Sequence, residues 1–335
     1  GGLAHVNIGV SLFFAEISGS AVADVAAMGS VLIPQMKKRG YSAPFAAAVT
    51  SSSASLAIII PPSIPMILYA TSANVSVEQL FVAGIIPGLM GAAGLMGVAY
   101  FFAVKYDLPR EEAFSGRVLW TAFVDALPTF ALPIIILGGI FGGYVTATEA
   151  AGLAVLAAIV ISLWYRQVDL KHLQRSMLDG GMQTAVVMIL VAASVVMGGF
   201  LTRAQYPQEL AQAILSITDN KWLVLLILNF FFLVIGFFLH SAAAIILVVP
   251  IVIPLIDAVG INPIHFGLVV TLNLAIGQQT PPVASVLITA CAVARANIWD
   301  VTKVNIYFIA VLLTVLLMCT YIPAIPLFLV DYFYG

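Results

Sequence analysis

Charge is what this sequence has least of. Asp, Glu, Lys and Arg together make up 8% of its 335 residues, against 62% that are hydrophobic, too few to cover a water-soluble protein of this length. That deficit leaves a lipid bilayer as the natural solvent. Acid and base nearly balance, at a net charge of −2, and without a basic stripe nucleic acid is not an expected partner. No glycine loop with a trailing Lys is present to cradle a phosphate. Only two cysteines occur, Cys291 and Cys319. They lie far apart in apolar context, which argues against a disulfide framework or a Cys-rich metal site and leaves core packing. The four histidines, His5, His172, His240 and His265, form no His-Glu-x-x-His, and Gly-x-Ser-x-Gly is missing too, so a membrane enzyme would lack a recognisable catalytic centre. Neither a charged n-region nor a cleavage site opens the chain, whose first residue is Gly1. The expectation is the later part of a longer protein.

What the sequence does have is apolar runs near the length of about 20 residues that spans a bilayer. Spans are expected at Leu80–Phe102, Ala126–Gly143, Ala147–Trp164, Thr184–Leu201, Trp222–Leu239 and Ile306–Val330. Lys105–Arg117 is more charged than its surroundings and reads as an exposed connector. Gly88, Gly91 and Gly94, with small neighbours, read as a helix-contact surface.

The chain also repeats itself. A shift of 220 (254 − 34) lays Pro34 on Pro254, Gly40 on Gly260, Pro61-Pro62 on Pro281-Pro282 and Ala70 on Ala290 without a gap. In the first copy two short apolar arms, Asn7–Ile17 and Ala21–Ile33, meet at Ser18-Gly19-Ser20. Each arm is too short for about 30 Å of hydrocarbon, which suits a re-entrant hairpin. The second copy has Leu226–Leu239 and Ala242–Val252 meeting at His240-Ser241, with a longer first arm. A helix interrupted at Pro-Pro follows each hairpin. Proline lacks the amide hydrogen and clashes with the carbonyl four residues back, so both helices must break at membrane depth. Broken backbone is tolerated there only where it lines a cavity or is buried in protein, making Ser51–Ser63 and Asn273–Ser285 candidate binding segments. Lys37, Lys38 and Arg39 follow the first hairpin whereas Asp257 follows the second, and by the positive-inside rule the repeats are expected to be inverted.

Expected domains are therefore a first repeat at 1–104, the connector at 105–117, intervening membrane helices at 118–221 and a second repeat at 222–335. At each tip bare carbonyls end one half-helix and bare amides begin the next. Carbonyls joined by hydroxyl or amide oxygens make a hard-oxygen cage suited to Na⁺, while half-helix N-termini attract anions. Candidate oxygens are those of Ser18, Gly19, Ser20, Ser53, Ile59 and Pro61, and of His240, Ser241, Asn273, Gly277 and Thr280. Asp24, one turn into the second arm, either serves function or stabilises a helix dipole. Glu149 fits a capping box with Thr146 better than a site.

The segments GSAVAD at Gly19–Asp24, IIPPSIPMILYA at Ile59–Ala70, GGYVTATEAAG at Gly142–Gly152 and NLAIGQQTPPV at Asn273–Val283 resemble the large membrane subunit of tripartite ATP-independent periplasmic (TRAP) transporters. The resemblance covers nearly the whole chain. It implies an all-α polytopic membrane protein of elevator type, with two inverted repeats and sites for at least two Na⁺. It also implies a bacterial inner membrane, a small membrane (Q) subunit, a soluble periplasmic binding (P) protein and an organic anion such as a C4-dicarboxylate, sulfonate, sugar acid or keto acid. No cofactor beyond the coupling ion is expected. Expected substrate contacts are Ser18, Ser20, Ser63, His240 and Gln279; expected sodium ligands are Ser18, Gly19, Ser53, Ile59, Pro61, His240, Asn273, Gly277 and Thr280. The chain departs from the family's pattern in lacking the helices usual before the first hairpin, in His240 where Asp is common, in TATEA for a TPTEA-like motif, and in Gln278-Gln279 for a more apolar pair. A channel, or an ion-coupled carrier without a binding protein, is the alternative that site chemistry leaves open.

Overall fold

A computed structural model describes residues 1–108, 115–166 and 169–335, without the side chains at 170, 172 and 202. Much of the connector expected at 105–117, and the His172 side chain, thus lie outside the described residues. Those residues are helical with no strand, as an apolar chain must be if each segment is to satisfy its own backbone.

The order begins α1 (Gly2–Ser18), α2 (Ala21–Lys38), α3 (Ala43–Ala54) with a 3₁₀ turn at Ser55–Ile58, α4 (Ile64–Ala73) and α5 (Val77–Lys105). It continues with α6 (Gly116–Pro133), a π-helical turn at Ile134–Gly138, α7 (Gly139–Phe141), α8 (Ala147–Trp164), α9 (Leu170–Arg203) and α10 (Tyr206–Ile217). Last come α11 (Lys221–Phe238), α12 (Ser241–Ala258), α13 (Pro263–Gly277), α14 (Ser285–Ala294), α15 (Ile298–Tyr321) and α16 (Ala324–Tyr334).

The series α1–α5 recurs as α11–α15. Helix α2 starts at 21 and α12 at 241, and the N-caps of α3 and α13 are Ser42 and Asn262, a displacement of 220 in both cases (241 − 21, 262 − 42). Past the proline pairs it becomes 221, as the N-caps Ser76 and Asn297 show (297 − 76). Local signals set these starts. Ser42 Oγ accepts from the Phe45 amide, Asn262 Oδ1 from those of Ile264 and His265, and each helix has proline in its first turn. A cap of this kind is worth about 1 kcal/mol, enough to fix where a helix begins. The turns before them use Gly40 and Gly260 at φ 85° and 67°, a conformation that costs glycine nothing.

Among the described residues seven helices are long and apolar enough to cross a membrane, one more than expected, and the differences have physical causes. Ile306–Val330 is not one span. Helix α15 starts earlier, at Ile298 behind its Asn297 cap, and the chain breaks at Ile322-Pro323 before α16. The hairpin arms are also longer than expected. Helix α2 continues through Pro34 to Lys38, and α12 through Pro250 and Pro254 to Ala258. An interior proline removes one hydrogen bond, which packed neighbours offset. At 18 residues each, α11 and α12 both qualify as spans, so the second hairpin does not have short arms. Helix α10, which packs on α12, was not foreseen.

The chain forms two compact units, Gly1–Glu111 with Ser194–Gly335, and Glu112–Ala193. In the first, α3 and α13 are buried along nearly their whole lengths. Helix α3 lies among α1, α2, α14 and α15, and α13 among α11, α12, α15 and α5. The repeats are interlocked, with α2 packed on α14 and α12 on α4. Lys37 Nζ, near the end of α2, donates to the Ala294 carbonyl at the end of α14 (2.9 Å), and Tyr69 Oη, on α4, donates to the Pro263 carbonyl at the start of α13 (2.8 Å). The glycine stripe of α5 is a contact surface as expected: Gly88 meets Ile60, Gly91 meets Leu56 and Gly94 meets Val311. Both cysteines are buried. In the second unit α6 and α8 pack together, and Tyr165 Oη donates to the Asp125 carbonyl (2.6 Å).

Helices α11 and α13 cross where Gly236 meets Gly277, and a Cβ on Gly277 would lie 2.5 Å from the Gly236 Cα. Backbone cannot give way as a flexible side chain can. Gly277→Val is expected to destabilise the fold by roughly 1–3 kcal/mol or more through overpacking, read as a lowered unfolding temperature in detergent. Gly97→Val, where nothing lies within 4 Å, should leave that temperature close to wild type.

Candidate functional site

Each repeat ends a hairpin against its own broken helix. At the first tip Gly19 closes α1 in the left-handed conformation (φ 60°) and Ser20 caps α2. The Ser20 amide donates to Ser18 Oγ (3.1 Å), and the Ser18 hydroxyl donates to Asp24 Oδ1. Asp24 is fully buried, and its Oδ2 has no partner among the described residues. The tip then meets the break: the Ile64 amide donates to the Gly19 carbonyl (3.4 Å), and a Cβ on Gly19 would stand 2.9 Å from the Pro62 carbonyl. Only glycine fits there on both counts. Within the break, the Ser63 hydroxyl donates to the Ile58 carbonyl (2.7 Å), one of those that proline leaves without an amide, while its oxygen caps α4. The Ile59 carbonyl faces α5 at Gly84, where a Cβ would be 2.2 Å away.

The second tip follows the same plan with different residues. Leu239 is extended and His240 caps α12, its Nδ1 accepting from the Ala242 amide (3.4 Å). An accepting Nδ1 places the neutral ring's hydrogen on Nε2, and the residue is exposed. Again tip meets break, the Val283 amide donating to the Phe237 carbonyl (3.3 Å). Both Pro-Pro bonds are cis. Thr280 Oγ1 donates to the Ile276 carbonyl (3.1 Å) within its own segment, and Gly277 lies at the α11 crossing.

Deeper in, a polar seam ties each broken helix to the first arm of its hairpin. Ser53 Oγ lies 2.9 Å from Ser11 Oγ and 3.3 Å from Asn7 Oδ1, while Asn7 Nδ2 donates to Thr50 Oγ1 (2.7 Å). At the matching position (273 − 53 = 220), Asn273 Nδ2 donates to Asn229 Oδ1 (2.7 Å), whose own amide donates to Thr320 Oγ1 (3.0 Å). Asn273 Oδ1 is buried without a partner among the described residues. Such bonds between apolar helices average about 0.6 kcal/mol, so they orient the helices more than they hold them.

The structure thus brings Ser18, Gly19 and Ser20 against the break that holds Pro61 and Ser63, while at the other end His240 caps the tip and Gly277 and Thr280 lie in the facing broken segment. Ser53 and Asn273 sit deeper, and no hydrogen bond among the described residues joins His240 to Ser18, Ser20 or Ser63. Gln279 is fully buried and turned to Ser52 and Asn305. Glu149 is exposed in a capping box with Thr146, outside the unit that holds the tips. Sequence reasoning missed Asn7, Ser11, Asn229, Asn305 and Thr320. Their one signal was a lone polar residue in an apolar run. Among the described residues no cluster of His, Cys, Asp and Glu suited to a metal occurs.

Duplicated tips set against paired proline breaks suit a membrane carrier, and comparison with known proteins places the chain in a transporter family. The family described as "Tripartite ATP-independent periplasmic transporter, DctM component" matches residues 1–325. This chain belongs to that DctM family. The family is one of transporters, not of enzymes. Its curated relatives include the isethionate TRAP transporter permease protein DctMQ of Oleidesulfovibrio alaskensis, 39% identical over 98% of this chain and 52% of its own length. The sialic acid TRAP transporter large permease protein SiaM of Vibrio cholerae is 35% identical over 100% of this chain and 79% of its own. The 2,3-diketo-L-gulonate TRAP transporter large permease protein YiaN of Escherichia coli is 33% identical over 96% and 76%. The chain spans about half the length of DctMQ and over three quarters of the other two.

Proposed function

We propose that this DctM-family chain carries a small organic anion inward across a bacterial inner membrane, driven by Na⁺. In this reading it works by an elevator movement, with a small Q subunit and a periplasmic P protein that delivers the substrate. The observation that carries the reading is the tip-to-break clasp found once in each repeat. Each clasp sets a half-helix N-terminus beside backbone that proline has opened, one end attractive to anions and the other to cations. Inverted repeats are supported by two contacts. Lys37 on Ala294 puts the end of α14 beside the end of α2, and Tyr69 on Pro263 puts the second half of α4 beside the start of α13. If each broken helix keeps its direction, the loops after the two hairpins lie at opposite ends of the unit.

Sodium fits the atoms left over. Asp24 Oδ2 and Asn273 Oδ1 are buried oxygens with no donor among the described residues, and an unpaired carboxylate in an apolar interior is costly. A cation at each break would satisfy them and offset the charge of an incoming acid. In this assignment Ser18, Gly19, Ser53, Ile59 and Pro61 serve the first ion, and His240, Asn273, Gly277 and Thr280 the second. Ser18, Ser20, Ser63 and His240 meet the substrate. The relatives are named for isethionate, sialic acid and a diketogulonate, all acids, and the His240 N–H suits a compact sulfonate or dicarboxylate.

Proteoliposomes holding the chain with its partner subunits should take up one of isethionate, a C4-dicarboxylate or a sialic acid in Na⁺ and not when K⁺ replaces it. Undiminished uptake in K⁺ would overturn sodium coupling. At the second tip, Asp and Asn both cap helices as well as His does or better, so substitution there separates charge from folding. His240→Asp should reduce uptake at least tenfold more than His240→Asn, because only Asp repels an anion. Equal uptake by both variants would show that this side chain does not meet the substrate.

A further inference from the structure

Ser52, Gln279 and Asn305 make a link that neither tip nor break requires. All three are fully buried. Ser52 Oγ lies 2.8 Å from Gln279 Oε1 and 2.6 Å from Asn305 Oδ1, and Asn305 Nδ2 lies 3.3 Å from Gln279 Oε1 and 3.5 Å from the Gln279 carbonyl. Among the described residues this is the only buried hydrogen-bonded contact between side chains of the two repeats. We propose that the trio is a positioning device that couples the two breaks, so that a cation held at one raises the affinity of the other. The proposal rests on the sodium reading above.

The position of the trio in the repeats supports this role. Gln279 stands where the first break has Ile59 (279 − 220 = 59), and Asn305 where α5 has Gly84 (305 − 221 = 84). In the first break the carbonyl at this point faces Gly84, which has no side chain to donate a hydrogen bond. In the second, the Asn305 amide reaches toward the equivalent carbonyl. The second break therefore carries a tether absent from the first, and its far end is Ser52. On α3, the next residue, Ser53, belongs to the seam with Asn7 and Ser11. On the other side, Thr280 follows Gln279 at the second break. A shift of α3 at the first site therefore reaches the second through the Ser52 hydroxyl as well as through the packing of α3 on α14 and α15.

The trio also has two arrangements available. A serine hydroxyl has one hydrogen, yet two amide oxygens stand within reach of Ser52. One amide must therefore present its NH₂ group to Ser52 instead, and reversing Asn305 or Gln279 gives different hydrogen-bond patterns. Gln279 Nε2, buried without a partner among the described residues, marks the same imbalance. An element with two discrete patterns that both sites can bias is the physical requirement for coupling.

The test is binding of radioactive sodium to the purified chain in detergent, for wild type, Ser52→Ala, Gln279→Leu and the double variant, with unfolding temperatures measured in parallel. Wild type should bind with a Hill coefficient above 1. Each single variant should fall to about 1 with half-saturation raised roughly tenfold, the scale of one buried hydrogen bond, and the double variant should match the singles. Ser52→Cys, similar in size with a weaker donor, should lie between and serves if Ser52→Ala does not fold. Thr314→Ala, whose hydroxyl bonds only within α15, should bind as wild type. An unchanged Hill coefficient in Ser52→Ala and Gln279→Leu would overturn the coupling, as would a wild-type coefficient of 1. No saturable sodium binding by wild type would overturn the sodium reading together with this inference.

Discussion

Everything in this fold depends on the backbone hydrogen bond and on the cost of leaving it unmade in an apolar interior. A continuous helix closes all its own bonds and has nothing to offer an ion. A helix stopped halfway by two prolines leaves carbonyls that must find something else. In the first repeat the Ser63 hydroxyl takes up one of them, the Ile58 carbonyl, and a hairpin tip presses against the rest of the opening. In the second repeat a different tip does the same through the Phe237 carbonyl and the Val283 amide. The architecture is a way of keeping backbone open and buried together.

That constraint explains where side chains were free to differ. Both tips need a helix cap and a carbonyl that faces the break, and Ser20 and His240 both cap although one is a hydroxyl and the other an imidazole. The seams need only one polar group on each facing helix, so Ser53 with Ser11 and Asn273 with Asn229 are equivalent solutions. The close crossings are less forgiving. Gly84 against the Ile59 carbonyl and Gly277 against Gly236 have no room for a Cβ, because in each case the neighbour is backbone. The repeats thus share geometry and differ in chemistry.

Much of this was legible in the sequence, for reasons that are local. Proline pairs, the glycines at 40 and 260, and the caps act within a few residues of themselves, so the repeat, both tips and both breaks could be placed from the chain alone. The membrane character followed from composition. Helix lengths were less legible, since Pro34 and Pro254 read as stops yet lie inside helices that packing carries through. The seams and the cross-repeat link were not legible at all. Ser52 meets a residue 227 positions away and Asn229 one 91 positions away, and a lone amide in an apolar run does not say where its partner is. Gln279 stood out as a departure from a more apolar pair and as an expected substrate contact, but its burial against Ser52 and Asn305 could not be read from the chain, which gives its segment and not the direction in which it turns.

The central claim is that the proline-opened backbone is where cations bind. It is tested most directly by measuring radioactive sodium bound at saturation to the purified protein, for wild type and for a variant with Pro61 and Pro62 both replaced by alanine. Alanine restores the two missing amides and lets the helix close over its own carbonyls. The account predicts saturable binding by wild type and the loss of one site in the variant, with the second site retained. Equal binding at saturation by both proteins would contradict it.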